Sequence, residues 1–107
     1  MNSKDKYEFK EWEKFFLSRK IYPKWPNETL TRLIYGNFLK KKITLSKKSK
    51  ILDIGCGFGN NFTIFKNFNS KLYGTEISKN SAKKIKDVLK KRGINTDIRE
   101  GTNRNLP

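Results

Sequence analysis

The string ILDIGCGFGN, Ile51 to Asn60, sets an acid, Asp53, inside a short apolar run and follows it with glycines at 55, 57 and 59. Glycine lets a backbone turn sharply and approach a ligand closely, so this pattern suits a nucleoside cofactor lying against a strand end. A helix begun at Asn60 would offer unpaired N–H groups to a carboxylate or phosphate. The spacing departs from the dinucleotide pattern G-x-G-x-x-G. The third glycine comes one position early, at Gly59, and Asn60 stands in its place. A negative charge at Asp53 also suits a cofactor with a cationic amino group better than a pyrophosphate. A second acid, Glu76, ends the string LYGTE, 23 residues after Asp53. A carboxylate at the C-terminal end of a strand can accept two hydrogen bonds from a ribose diol. Cys56 is the only cysteine and there is no histidine, so neither a disulfide nor a histidine base is available within the chain. With no activating group in view, Cys56 reads as a small turn residue of the glycine loop and not as a nucleophile.

These residues resemble motif I and the acid after strand two of the class I S-adenosylmethionine-dependent methyltransferases, in particular the small-molecule "type 11-like" domains. The resemblance runs from about Tyr22 to Pro107 and implies a Rossmann-like α/β fold with S-adenosylmethionine as cofactor. It further implies that Gly55, Cys56, Gly57 and Gly59 accommodate the methionine end. Asp53 orients the amino group, Glu76 holds the ribose, and Ile77 packs on the adenine. The string REGTNRNLP resembles the segment after strand three, where the family often has an acid against the adenine amino group; here Thr102 stands there. A hydroxyl accepts one hydrogen bond less strongly than a carboxylate does, and a main-chain N–H at Asn103 would not depend on its side chain. No catalytic residue is assigned.

The elements that must position these groups follow from periodicity. Phe9, Trp12, Phe15 and Phe16 lie at helical spacing within residues 7 to 19. Tyr22, Pro23, Trp25 and Pro26 interrupt the pattern, and Asn27 caps a second helix with Leu30, Leu33, Ile34 and Phe38 on one face, running to about Lys41. The segment YPKWPNE resembles one that precedes the first helix in family members acting on small molecules. Its aromatics suit a lid over the cofactor or a plug under the sheet, and the sequence leaves both open. Residues 1–42 thus form a helical segment and residues 43–107 a partial cofactor domain. Within the latter, strands are expected at Ile51–Ile54, Lys71–Ile77 and Ile94–Glu100. A helix is expected from Asn60 to about Asn67, and another capped by Ser78 or Asn80 and stopped by Gly93. Alternating strands and helices predict parallel strands with right-handed crossovers, a doubly wound sheet reduced to its first three strands.

At 107 residues the chain is one domain at most, with 35% hydrophobic and 33% charged residues, enough for a modest core. No window approaches about 18 consecutive apolar residues, the length that spans a membrane. The N-terminus lacks the pattern of a secretory signal, and the lone cysteine fits a reducing cytoplasm. The net charge of +15 raises RNA as a partner. Lysine supplies 20 of the 25 basic residues, dispersed and without interleaved aromatics, which fits compositional bias and solvated helix faces better. The leading expectation is therefore the cofactor-binding part of a methyltransferase acting on a small molecule. A basic nucleic-acid-binding fragment is the alternative, and a dinucleotide oxidoreductase is disfavoured by the glycine spacing. The family pattern continues with a fourth strand and three more beyond it. The chain is accordingly expected to be a fragment, a short gene product, or a half that needs a partner for the free edge of Ile51–Ile54.

Overall fold

Three parallel strands organise the protein: β1 (Lys50–Asp53), β2 (Lys71–Glu76) and β3 (Asp97–Glu100), paired in the order β1-β2-β3. The computed structural model describes residues 3–19, 25–36 and 43–107. Tyr22, Pro23, Phe38 and Lys41 lie outside the described residues, so the lid-or-plug segment is seen only in part; the second helix ends at Tyr35, where Gly36 turns extended (φ −86°, ψ 173°), short of the Lys41 that the sequence suggests. The register sets Ile51 beside Leu72, Asp53 beside Gly74, and Gly74 beside Ile98. Because side chains alternate along a strand, these positions share one face. That face carries the core.

A 3-10 helix (Asn60–Phe68) and α3 (Lys79–Lys91) bury Phe62, Ile64, Phe65, Ala82, Ile85 and Leu89 together with Leu72 and Ile98. The sequence suggests a helix from Asn60 to about Asn67, and the first of these elements gives it the 3-10 pitch. Phe62, Phe65 and Phe68 recur every third residue, the period at which a 3-10 helix aligns its side chains. Asn60, Asn61, Thr63 and Ile64 add little helix propensity, so the tighter form costs little here. Of the two candidate caps for α3, Ser78 is the one used: its Oγ accepts from the Ser81 N–H at 3.2 Å. At the other end Ile94 N–H donates to the Leu89 carbonyl and Gly93 N–H to that of Lys90, with Gly93 at φ +78°. This pair of bonds is a Schellman closure, and it uses Ile94 as its hydrophobic seal. Ile94 therefore belongs to the helix stop, and β3 begins three residues later than the sequence suggests.

The N-terminal helices pack on the same side. Helix α1 (Ser3–Ser18) buries Phe16 fully and half-buries Trp12 and Leu17 against the core, while Phe15 stays largely exposed. Helix α2 (Glu28–Tyr35) is capped by Asn27, whose Oδ1 accepts from Leu30 N–H at 3.0 Å. It is tied to the 3-10 helix through Asn27 N–H to Asn61 Oδ1 at 2.7 Å and Tyr35 O–H to the Ile64 carbonyl at 2.6 Å. Trp25 is 79% exposed and plugs nothing, although its carbonyl accepts from Asn60 Nδ2. The opposite face of the sheet carries Leu52, Tyr73, Thr75, Asp97 and Arg99 around a shallow cavity of about 350 Å³, bordered also by Leu106 and Pro107 at the end of the chain.

Candidate functional site

The C-terminal ends of β1 and β2 bring the two acids and the glycine loop to one edge of the sheet, the place where open α/β sheets bind ligands. Gly55, Gly57 and Gly59 all have positive φ, at +68°, +55° and +73°. At Gly59 the requirement is doubled. A Cβ there would lie 2.8 Å from Leu89 Cδ1 and 3.1 Å from Ile85 Cγ1, so glycine also lets α3 pack against the loop. The loop is pinned to β2 by Thr75, a residue that its sequence context does not single out. Thr75, 1% exposed, accepts Gly55 N–H on its Oγ1 and Cys56 N–H on its carbonyl, both at 2.9 Å. A hydroxyl directly before the strand-end acid is the available signal.

Asp53 is half-buried at the end of β1, and among the described residues it has neither an ion-pair nor a hydrogen-bond partner. Burial pushes its carboxyl above the usual aspartate range. Cys56 lies close to both acids. Its thiol is pushed up to about 12, first by burial, then by the negative fields of Asp53 and Glu76, which outweigh a backbone hydrogen bond acting the other way. A buried thiol of that kind is protonated at neutral pH and is no nucleophile, as expected for a turn residue.

Glu76 is 2% exposed, deeper than a strand-end ligand-binding carboxylate would be in an open cleft. Its Oε1 accepts two hydrogen bonds, from Ile77 N–H at 3.0 Å and from the indole N–H of Trp12 at 2.9 Å. Sequence reasoning assigns Trp12 only to an apolar stripe, because nothing in the chain marks a contact between residues 64 positions apart. Glu13, next to it, accepts a hydrogen bond from Ser78 Oγ. Phe58, within the glycine loop, stacks on Phe16 at 4.7 Å between centroids, with Trp12 and Phe15 about it and the Arg19 guanidinium over its ring.

Beyond β3, Thr102 does not face an open cleft. Its Oγ1 accepts from Arg104 N–H and Asn105 N–H, and its backbone bridges to Asn105, so the hydroxyl closes its own turn; Asn103 is exposed at the turn's tip. Gly101 N–H donates to the Glu76 carbonyl and holds this turn beside the second acid. Among the described residues no cluster of His, Cys, Asp and Glu could hold a metal ion, and no helix is long and apolar enough to cross a membrane.

A parallel sheet with crossover helices and an acid-flanked glycine loop at its C-terminal edge is a Rossmann-like α/β unit, here with three strands among the described residues. The family model described as mycolic acid cyclopropane synthetase matches residues 28–102, and the chain belongs to that family of S-adenosylmethionine-dependent methyltransferases. In fold it is similar to the YcgJ protein from Bacillus subtilis, with a TM-score of 0.56 and 19% sequence identity. That likeness covers 74% of this chain but only 30% of the YcgJ chain. No curated protein matches the sequence.

Proposed function

We propose that this chain binds S-adenosylmethionine at the edge formed by Asp53, the glycine loop and Glu76, and supplies the donor-holding part of a methyltransferase that acts on a small molecule. The observation that carries the reading is Asp53: a half-buried carboxylate with no partner among the described residues, beside a loop turned by three glycines of positive φ. An unpaired buried charge is costly unless a ligand compensates it, and the cationic amino group of an amino-acid-bearing nucleoside does so. S-adenosylmethionine supplies an already activated methyl group on a sulfonium. What remains for the protein is to hold donor and acceptor in line, which is catalysis by proximity. In this reading Asp53 orients the amino group, the loop from Gly55 to Gly59 receives the methionine end, and Glu76 takes the ribose hydroxyls. Ile77 lies beside the adenine, and the turn at Thr102 and Asn103 borders it through the backbone.

Isothermal calorimetry with S-adenosylhomocysteine and with NAD tests the assignment. The expected result is binding of S-adenosylhomocysteine, no measurable binding of NAD, and a loss of about 1.5–3 kcal/mol in Asp53→Asn, the range for a hydrogen bond to a charged group. NAD binding more tightly than S-adenosylhomocysteine would refute the proposal.

A further inference from the structure

Helix α1 packs against Glu76 and Phe58, at the edge assigned above to the cofactor. Three contacts seat it there: Trp12 Nε1 donates to Glu76 Oε1, Ser78 Oγ donates to Glu13, and Phe16 stacks on Phe58 of the glycine loop. The result is a Glu76 that is 2% exposed and a Phe58 enclosed by Trp12, Phe15 and Phe16, while Gly55 stays exposed. Two cavities among the described residues lie elsewhere. One sits on the open sheet face and one beside Gly93 at the end of α3, and neither is lined by Asp53, by the loop from Gly55 to Gly59, or by Glu76.

We infer that Trp12 is an internal competitor for the cofactor: its indole N–H occupies the carboxylate that the ribose hydroxyls need, and α1 must leave the cleft for the cofactor to enter. The inference rests on the cofactor reading above. The chemistry is a like-for-like exchange. An N–H donor on Glu76 is replaced by O–H donors, so the buried carboxylate keeps a partner in both states and never has to be desolvated alone. Trp12 is well suited to that task, since its flat ring also packs on Phe15, Phe16 and Phe58 while only its one polar atom makes the contested bond. The arrangement lowers the apparent affinity by the fraction of molecules in which α1 is lifted. It makes Trp12 a determinant of cofactor affinity that sits in no glycine motif.

The test is Trp12→Phe, which keeps the aromatic packing and deletes the donor. S-adenosylhomocysteine should bind this variant roughly tenfold more tightly than it binds the parent chain, the equivalent of one hydrogen bond to a carboxylate. In a Glu76→Ala background the same change should bring no gain. A second measurement uses Trp25→Phe, which leaves Trp12 as the sole tryptophan. Saturating S-adenosylhomocysteine should shift its emission to the red and raise its quenching by acrylamide. If S-adenosylhomocysteine binds and Trp12→Phe binds equally or more weakly, or Trp12 becomes no more exposed, Trp12 is a supporting residue and this inference alone is overturned. If S-adenosylhomocysteine binds neither protein, the cofactor reading falls and the competition falls with it.

Discussion

Asp53 and Glu76 are both acids at strand ends, yet the fold treats them differently. Glu76 is given donors, whereas Asp53 is left half-buried without one among the described residues. The consequence is a pH-dependent cost. Burial raises the Asp53 pKa in the folded state, so the folded chain holds this proton more tightly than the unfolded chain does, and stability falls as pH rises through that window. Below the unfolded value both states are protonated and the cost vanishes; above the raised value it is fully present. Asp53→Asn should therefore melt at a higher temperature than the parent at about pH 7, and the difference should shrink towards nothing by about pH 3.5. Equal melting temperatures at both pH values would show that Asp53 is not strained. The same substitution that weakens ligand binding should thus stabilise the fold, as is common where a site carries uncompensated charge. At this scale the sequence is informative wherever function depends on local spacing. The acid two residues before a glycine triplet and the acid 23 residues on are chain-local patterns. Trp12 and Phe58 are illegible as site residues because their roles come from packing between segments far apart in the chain.

The elements are legible where hydrophobic period and caps agree, as in α3, whose Ser78 cap, buried Ala82, Ile85 and Leu89, and Gly93 stop all point one way. They are less so where two forms share a pattern. A phenylalanine every third residue fits a helix of either pitch, and the 3-10 form is the one that buries Phe62, Ile64 and Phe65 in the core. The junction between the loop and this helix is tightly packed, and two glycines allow its two constraints to be separated. Gly55 has a positive φ and open space for 4 Å around the position a Cβ would take, whereas Gly59 has a positive φ and the Leu89 side chain 2.8 Å away. Gly55→Ala should cost only the left-handed backbone strain, about 1–2 kcal/mol. Gly59→Ala should cost about 1–3 kcal/mol more, because a methyl group there must displace Leu89 and Ile85 from a filled core. Urea denaturation of the two variants measures the difference; equal losses would mean that α3 yields freely to the loop.

For the whole molecule the decisive fact is that the sheet is covered on one face and, among the described residues, unpaired along the outer side of β1. Leu52 is 50% exposed on β1, whose outer edge offers free backbone donors and acceptors, and Ile54, just beyond the strand, is 47% exposed. Such an edge recruits another strand. The charge of +15 opposes that association by mutual repulsion, and salt screens the repulsion. Residues 1–107 should therefore self-associate more strongly as ionic strength rises, and Leu52→Lys should suppress the effect, as read by sedimentation velocity. Binding to RNA would respond to salt in the opposite sense, since it depends on counterion release. A monomer at all salt concentrations would show that β1 needs no partner. The contacts that seat α1 have their own long-range consequence, in chain entropy. Trp12 meets Glu76 across 64 residues and Glu13 meets Ser78 across 65, so docking α1 closes long loops, whereas each strand–helix–strand unit closes a short one. Loop closure costs more the longer the loop, and contacts that come late in sequence separation are made late in time. The last piece to assemble is then also early to come loose, so α1 is expected to open ahead of the strand–helix–strand units.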